Sequence, residues 1–369
     1  MSTPIFTVEM LAAKHGDAIW IEYSSGTRKR RILIDGGPLG SYATLEARFK
    51  QLPQGDQRLE LLVITHVDTD HIEGMIRLLA TPRGDWLFEP NDIWFNGYRH
   101  VSKQDTLGGR EGEFLGALIH LRAYEEWNRA FAGGPVMLKD TAELPRIELA
   151  DGMVLTLLSP DKKHLNKMAR QWEKEVSKWA IDPGDLEEAW KQLVAVDKFS
   201  PNTELTLGPE DMTAQLRAQL KGQDSSSANG SSIAFLAEFK GKSCLFLADA
   251  HMKLVCASVR KLIPPGSSFL SVDAVKVSHH GSLHNITHEF MELVDAEHFL
   301  FSTNGEKHKH PNPAAVNSVI QGARRKPTLW FNYRSQFTEP YESASLLPNA
   351  TYVTKYPQAG QEGIVLSLT

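Results

Sequence analysis

The stretch Leu61-Leu62-Val63-Ile64-Thr65-His66-Val67-Asp68-Thr69-Asp70-His71-Ile72-Glu73-Gly74 decides how the rest of the chain is read. Leu61 to Ile64 form a short buried-strand signal, and the segment from Gly74 to Leu79 resumes with helical spacing. His66, Asp68, Asp70 and His71 therefore fall on the loop between a strand and a helix. In extended backbone, residues i, i+2 and i+4 point the same way, so His66, Asp68 and Asp70 share a face and His71 follows at the turn. Imidazoles and carboxylates crowded in this way are costly unless a cation neutralises them. A loop that only caps the following helix would need Asp70 alone. The spacing predicts a metal site.

The chain has 369 residues, 41% hydrophobic, enough for one large domain or two with a substantial core. Its net charge of −5 gives no global basic field, which counts against a dedicated clamp for long nucleic acid. The basic runs Arg28-Lys29-Arg30-Arg31 and Arg324-Arg325-Lys326 read as solvated strand ends. Cys244 and Cys256 make neither a disulfide framework nor a cysteine zinc site. No charged segment followed by an apolar run opens the chain, and no run of about 18 apolar residues occurs anywhere, so a cytoplasmic protein without a membrane segment is expected.

Along the chain, residues 5–37 read as a meander of three strands ending in Ile34-Asp35-Gly36-Gly37, and residues 42–51 as a helix. A strand follows at 92–97. Residues 100–145 are mostly helical, with Leu115, Leu118, Ile119 and Leu121 as the expected buried stripe. Arg146 to Leu149 and Met153 to Leu158 flank Asp151-Gly152 as a hairpin. Trp172 and Trp179, seven apart, share a helical face that reads first as core and otherwise as a lid or a subunit contact. Asp182-Pro183-Gly184-Asp185 breaks the helix, and Leu186 to Val194 starts another. Gly222 to Ser232, rich in Ser, Gly and Asn, is expected to be mobile.

Strands at 233–239 and 243–249 then lead to Asp249. A third, ending at Ser278, leads to His279-His280-Gly281-Ser282. A fourth, ending at Ser302, leads to Asn304-Gly305, with His308 and His310-Pro311 beyond. Ligands gather at strand C-terminal ends in open α/β sheets. If these strands run parallel, the clusters at His66, Asp249, His279 and Asn304 converge on one edge.

Thr65 to His71 resembles the HxHxDH signature of the metallo-β-lactamase fold, and is most similar to the HxDxDH variant of ComEC-type competence proteins and their soluble relatives. The strings Leu247-Ala248-Asp249 and Val277-Ser278-His279-His280-Gly281-Ser282 resemble the later motifs of that group, and Asn304-Gly305 with His310-Pro311 its final loop. His15-Gly16-Asp17-Ala18 and Ile34-Asp35-Gly36-Gly37 resemble its opening strands. The resemblance covers roughly residues 5–97 and 228–369.

It implies an α/β fold, an αββα sandwich of two mixed sheets with outer helices, formed by one domain over 1–369 that carries a mostly helical insertion at 100–225. It implies one or two divalent ions, zinc or manganese. Asp70, His71, Asp249 and one of His279 and His280 would form one site, with His280 favoured as the ligand. His66, Asp68 and a shared Asp249 would begin the other. The third histidine usual in that second site has no counterpart at His100, His120 or His164, and its place falls at Asn229 to Ser232. Asp35 is expected to buttress the site.

The activity implied is a metal-dependent hydrolase acting on a phosphodiester, as a nuclease or nucleotide phosphodiesterase. Asp70 would orient or deprotonate water. His310, with His308 or Asn304, would hydrogen-bond a phosphate oxygen or protonate the leaving group. Two alternatives stand beside it. One is hydrolysis of a lactone, thioester or β-lactam. The other is a metal-poor assembly subunit meeting a partner protein or a second copy through the 100–225 insertion.

Overall fold

A computed structural model of the protein describes residues 3–101, 110–176, 182, 184–195, 199 and 226–368. The first part of the chain lays down β1 (Ile5–Met10), β2 (Ile19–Ser24), β3 (Arg30–Ile34), the helix α1 (Tyr42–Lys50), β4 (Arg58–Leu59), β5 (Leu61–Val63), the helix α2 (Thr69–Ala80), β6 (Glu89–Pro90) and β7 (Ile93–Trp94). The remainder supplies β8 (Arg146–Glu148), β9 (Val154–Ser159), β10 (Ala234–Phe239), β11 (Lys242–Phe246), β12 (Leu270–Lys276), β13 (Val294–Phe301), β14 (Thr328–Phe331), β15 (Val353–Lys355) and β16 (Ile364–Ser367).

These strands form two mixed sheets. The first has the order β16-β1-β2-β3-β5-β7, the second β15-β14-β13-β12-β11-β10-β9-β8, and β4 pairs with β6 apart from both. In the first sheet the meander is antiparallel, while β3, β5 and β7 run parallel. In the second, β8 to β11 are antiparallel and β11 to β15 parallel.

Alternation of side chains along each strand explains the layering. From β2, Ile19, Ile21 and Tyr23 face inward and pack with Phe235, Ala237 and Cys244 of the second sheet. Trp20, between them, faces outward onto Phe49 of α1 and Met75 of α2. On the far side, Leu245 and Val275 face Val255 and Val259 of the helix Met252–Arg260 and Val316 of the helix Pro313–Gly322. Strands buried on both faces need near-continuous apolar runs, as β2 and β5 have. The result is the αββα sandwich expected.

Three expectations change. Leu115, Leu118 and Ile119 are fully buried, but Leu121 is 55% exposed. At 100° per residue, position 121 lies off the stripe made by the other three. Arg31 is not a solvated strand end. Its guanidinium is buried and pairs with Asp56 at 2.7 Å and Glu22 at 3.3 Å. The small-residue segment from Ser226 to Ser232 forms a buried helical turn, with Ser226 accepting from Asn229 N–H at 3.3 Å and Ser231 donating to the Ala228 carbonyl at 2.7 Å. Trp172 is buried core, while Trp179 and residues 222–225 lie outside the described residues.

Glu113, on the helix Arg110–Arg122, is 1% exposed and accepts from Gly184 N–H at 3.0 Å. Burial, with help from Asp185, pushes its carboxyl from 4.5 up to about 7. Its contribution is therefore full while the unfolded carboxyl is still protonated and is lost as pH rises from about 4.5 to about 7. Glu113→Gln keeps the acceptor and removes the charge. Urea unfolding should show little difference from wild type at pH 4.5 and a gain of about 2–3 kcal/mol at pH 8.

Candidate metal centre

Close backbone approaches assemble the site. A Cβ added to Gly74 would lie 2.0 Å from the Gly36 carbonyl oxygen, and one added to Gly16 would lie 1.9 Å from that of Asp70. These contacts seat α2 on the loop after β3 and draw the β1–β2 loop against its first turn, where Gly36 N–H bonds the His71 carbonyl at 2.9 Å. Gly74→Ala should cost about 1–3 kcal/mol, or more if α2 lifts away, read by urea unfolding. The second sheet joins at Ile233, whose N–H bonds the Thr65 carbonyl at 3.0 Å.

Three buried imidazoles are held from behind. His71 Nδ1 donates to Asp35 Oδ2 at 2.8 Å, and His280 Nδ1 donates to the Ser302 carbonyl at 2.9 Å. Thr65 Oγ1 gives its proton to Asp35 Oδ2 at 2.6 Å, so at its 3.0 Å contact with His66 Nδ1 the ring must be the donor. Each Nδ1 therefore carries a hydrogen, and Nε2 is the ring atom left to face the cluster. The Nε2 atoms of His66, His71 and His280 are buried without a hydrogen-bond partner among the described residues, as is Asp249 Oδ1. A ring tethered at Nδ1 with Nε2 bare is the arrangement that metal-binding histidines adopt.

The bare atoms face carboxylates from both sheets. His71 Nε2 lies 3.5 Å from Asp249 Oδ1, and His280 Nε2 lies 3.5 Å from Asp70 Oδ2. On the other flank, His66 Nε2 lies 3.9 Å from Asp249 Oδ2 and 3.6 Å from Asp68, and His279 Nε2 lies 3.6 Å from Asp249 Oδ2. Asp249 thus faces His71 on one side and His66 with His279 on the other. Asp68 occupies the N-cap of α2 in extended backbone but makes no capping bond, so its carboxylate is turned to the cluster. The strand ends do not line one open sheet. β5 brings His66 from one sheet, and β11 and β12 bring Asp249 and His279-His280 from the other.

Backbone strain marks the same place. Asp35, Ala248, His279 and His280 all have positive φ, at 58°, 44°, 49° and 53°. Such conformations cost about 1 kcal/mol or more each for a residue with a side chain, and they cluster where geometry matters. The Asn229 side chain lies 3.3 Å from His279 Nδ1, so the turn from Ser226 to Ser232 supports that ring.

Burial opposes ionisation of Asp70 and Asp249, yet the facing imidazoles hold both carboxyls well below the usual range. Burial likewise disfavours charge on His71 and His280. Asp249 and Asp35 push His71 well up, and Asp17, Asp249 and Asp70 push His280 up to about 10. The carboxylates thus demand positive charge in a buried space. Ring protons supply it, and a divalent ion at the Nε2 atoms would supply it in their place, releasing those protons.

Asp17 is the residue that the sequence reading passed over. It belongs with His71, Asp249 and His280 to a group whose ligand atoms lie within 4.8 Å of one another and could hold a metal ion. Its Oδ2 accepts from Lys276 Nζ at 2.6 Å, and its Oδ1 lies 3.4 Å from the Nδ1 edge of His280, behind the ring. It is placed as a counter-charge more than as a ligand. Burial opposes its ionisation, but Lys276 and His280 hold its carboxyl far below the usual range. The available signal was Lys276, a charge within the apolar run Ala274 to Val277, which demands a buried partner.

A rim of further imidazoles leads outward. Ring centroids step 5.8 Å from His279 to His310, 5.9 Å from His310 to His308, and 6.2 Å from His308 to His15. Burial and the neighbouring His279 keep His310 well below the usual histidine range, and its Nδ1 has no partner among the described residues. Asn304 is spent on its own loop, its amide bonding Glu306 at both ends, at 3.0 and 3.1 Å.

No protein-family model and no curated protein matches the chain. Among solved structures it is similar to the metallo-β-lactamase fold protein YhfI from Bacillus subtilis, at 10% identity over 99% of this chain and 100% of that one, with a TM-score of 0.40. It is also similar to a diphosphatase from the PhnP family, at 13% identity over 98% and 97% of the two chains, with a TM-score of 0.35. No helix of the described residues is long and apolar enough to cross a membrane.

Proposed function

We propose that the chain is a metal-dependent hydrolase of phosphodiesters, a nuclease or nucleotide phosphodiesterase of the soluble ComEC type. One observation carries the hydrolase reading: three imidazoles tethered at Nδ1 present bare Nε2 atoms to carboxylates from both sheets. The phosphodiester rests on the likeness of Thr65 to His71 and of the later motifs to that group.

Asp70, His71, Asp249 and His280 would hold one ion, and His66, Asp68, Asp249 and His279 a second. Four imidazoles with three carboxylates suit zinc, and the acidic share moves preference toward manganese. Such an ion, when bound, lowers the pKa of water toward ~7 and offsets charge on the phosphoryl oxygens.

The chain's own groups do the rest. Asp70, kept ionised, accepts a proton from the attacking water and orients it. Asp35 and Ser302 fix the rings of His71 and His280, and Asp17 with Lys276 braces His280 from behind. His310, kept neutral, suits hydrogen bonding to a phosphoryl oxygen better than proton donation, and the His308 ring stands beyond it at 5.9 Å. Asn304 shapes the loop that carries both.

The test is hydrolysis of bis(p-nitrophenyl) phosphate, single-stranded DNA, RNA and cyclic nucleotides with manganese or zinc, wild type against Asp70→Ala. The variant should lose at least ~100-fold in kcat, the scale of a lost general base. Equal rates in the two proteins would end the proposal, and turnover of lactones with none of phosphodiesters would move it to the other bond.

A further inference from the structure

Outside the metal centre, one cluster of chemistry is unaccounted for. The loop 11–16 and the loop 303–310 are fastened edge to edge: Asn304 N–H bonds the Lys14 carbonyl at 2.8 Å, and Ser302 Oγ bonds the Gly16 carbonyl at 3.2 Å. Lys14 N–H bonds Tyr333 Oη at 2.7 Å, with Lys14 held at a φ of 55°. That fastening sets the His15 and His308 rings at 79° to each other, 6.2 Å apart. Lys307 lies within electrostatic reach of both rings, and both rings feel Asp70.

Lys307 is half-buried, yet among the described residues its ammonium has no carboxylate partner, and neither imidazole has a hydrogen-bond partner. A half-buried ammonium without a counter-ion is placed to meet an anion. The fully buried Lys276 and Arg31 each meet a carboxylate, Asp17 and Asp56. Two imidazoles 6.2 Å apart, with an ammonium in electrostatic reach of both, match a phosphate, which takes several charge-assisted hydrogen bonds at once. An imidazole donates at least one N–H in either protonation state, so the cradle needs no particular charge on His15 or His308.

We propose that His15, Lys307 and His308 form a second anion subsite that holds the substrate phosphate next to the scissile one. The proposal rests on the phosphodiester reading and narrows it to substrates carrying an adjacent or terminal phosphate, such as oligonucleotides. His15 and Lys307 are positioning residues in this account, since they touch the substrate away from the reacting atoms.

Calorimetric binding to the metal-loaded protein separates the two ideas. Thymidine 3′,5′-bisphosphate should bind wild type ~10-fold tighter or more than thymidine 5′-monophosphate, the scale of one added charge-assisted contact. In Lys307→Gln and in His15→Gln the ratio should fall toward one, with affinity for the monophosphate kept within about two-fold. Hydrolysis of the 5′-phosphorylated dinucleotide pTpT should show a raised KM at unchanged kcat in both variants, while TpT is unaffected. Equal affinity of wild type for the two nucleotides, or a preference that survives both substitutions, overturns the subsite. A bisphosphate preference in a protein that hydrolyses no phosphodiester keeps the subsite and removes the activity assigned above.

Discussion

Asp249→Ala is expected to lose both bound metal and activity, with kcat/KM down by at least ~10³-fold, a loss of roughly 4 kcal/mol of transition-state stabilisation. The expectation comes from position. Asp249 alone faces His71 through one oxygen and both His66 and His279 through the other, at 3.5, 3.9 and 3.6 Å. Removing it opens both half-sites together. Asp68→Ala is the comparison. That carboxylate is 33% exposed and faces His66 at 3.6 Å, so its loss touches one flank. Its activity should fall by less, with about half of the metal retained in a two-ion site. Parallel metal analysis and kinetics of the two variants check the order, and an Asp68 effect as large as that of Asp249 would contradict a bridging position.

Lys276→Met should be the most destabilising single change among the site's supports, by about 3–5 kcal/mol. Lys276 and Asp17 are 2% and 3% exposed, 2.6 Å apart, and join the β1–β2 loop of one sheet to the end of β12 in the other. Methionine fills the space of the lysine stem but leaves the Asp17 carboxylate buried without its cation. The double variant Asp17→Leu with Lys276→Met removes the charge from both ends and should recover much of the loss. The sign with pH follows from Asp17. Its folded carboxyl sits below its unfolded value of about 3.8, so the pair contributes fully at neutral pH and is lost as pH falls below that value. Urea unfolding at pH 7 and pH 3 reads both effects. The difference between wild type and Lys276→Met should shrink at the lower pH.

Much of this was legible in the sequence because the chain punctuates itself. The apolar runs at 61–64, 243–248 and 299–302 end abruptly in polar clusters, and the clusters mark the strand ends at which the site is built. Asp151-Gly152 gave away the β8–β9 hairpin, and Asp185 the start of the helix Leu186–Val194. Asp35 buttresses His71 as expected.

Other features depend on partners far away in the chain. Asp17 reads only as part of the opening strands until Lys276, 259 residues on, is seen to need it. Arg31 reads as part of a basic surface run until Asp56 and Glu22 close over it. Composition misled at Ser226 to Ser232, because small polar residues serve close packing as well as flexible linkers. Gly230 leaves no room for a Cβ, with His251 at 2.8 Å and His164 at 3.0 Å. That the strand ends belong to two sheets rather than one could not be read from pattern, since periodicity tells which faces are buried but not which strands are neighbours.

Elemental analysis of the purified protein, after equilibration with manganese and zinc and removal of free ions, tests the centre most directly. One or two equivalents of divalent metal per wild-type chain, and nearly none in Asp249→Ala, is the predicted result. A wild-type chain that stays folded and retains less than a tenth of an equivalent of either ion, on the order of adventitious loading, would contradict it.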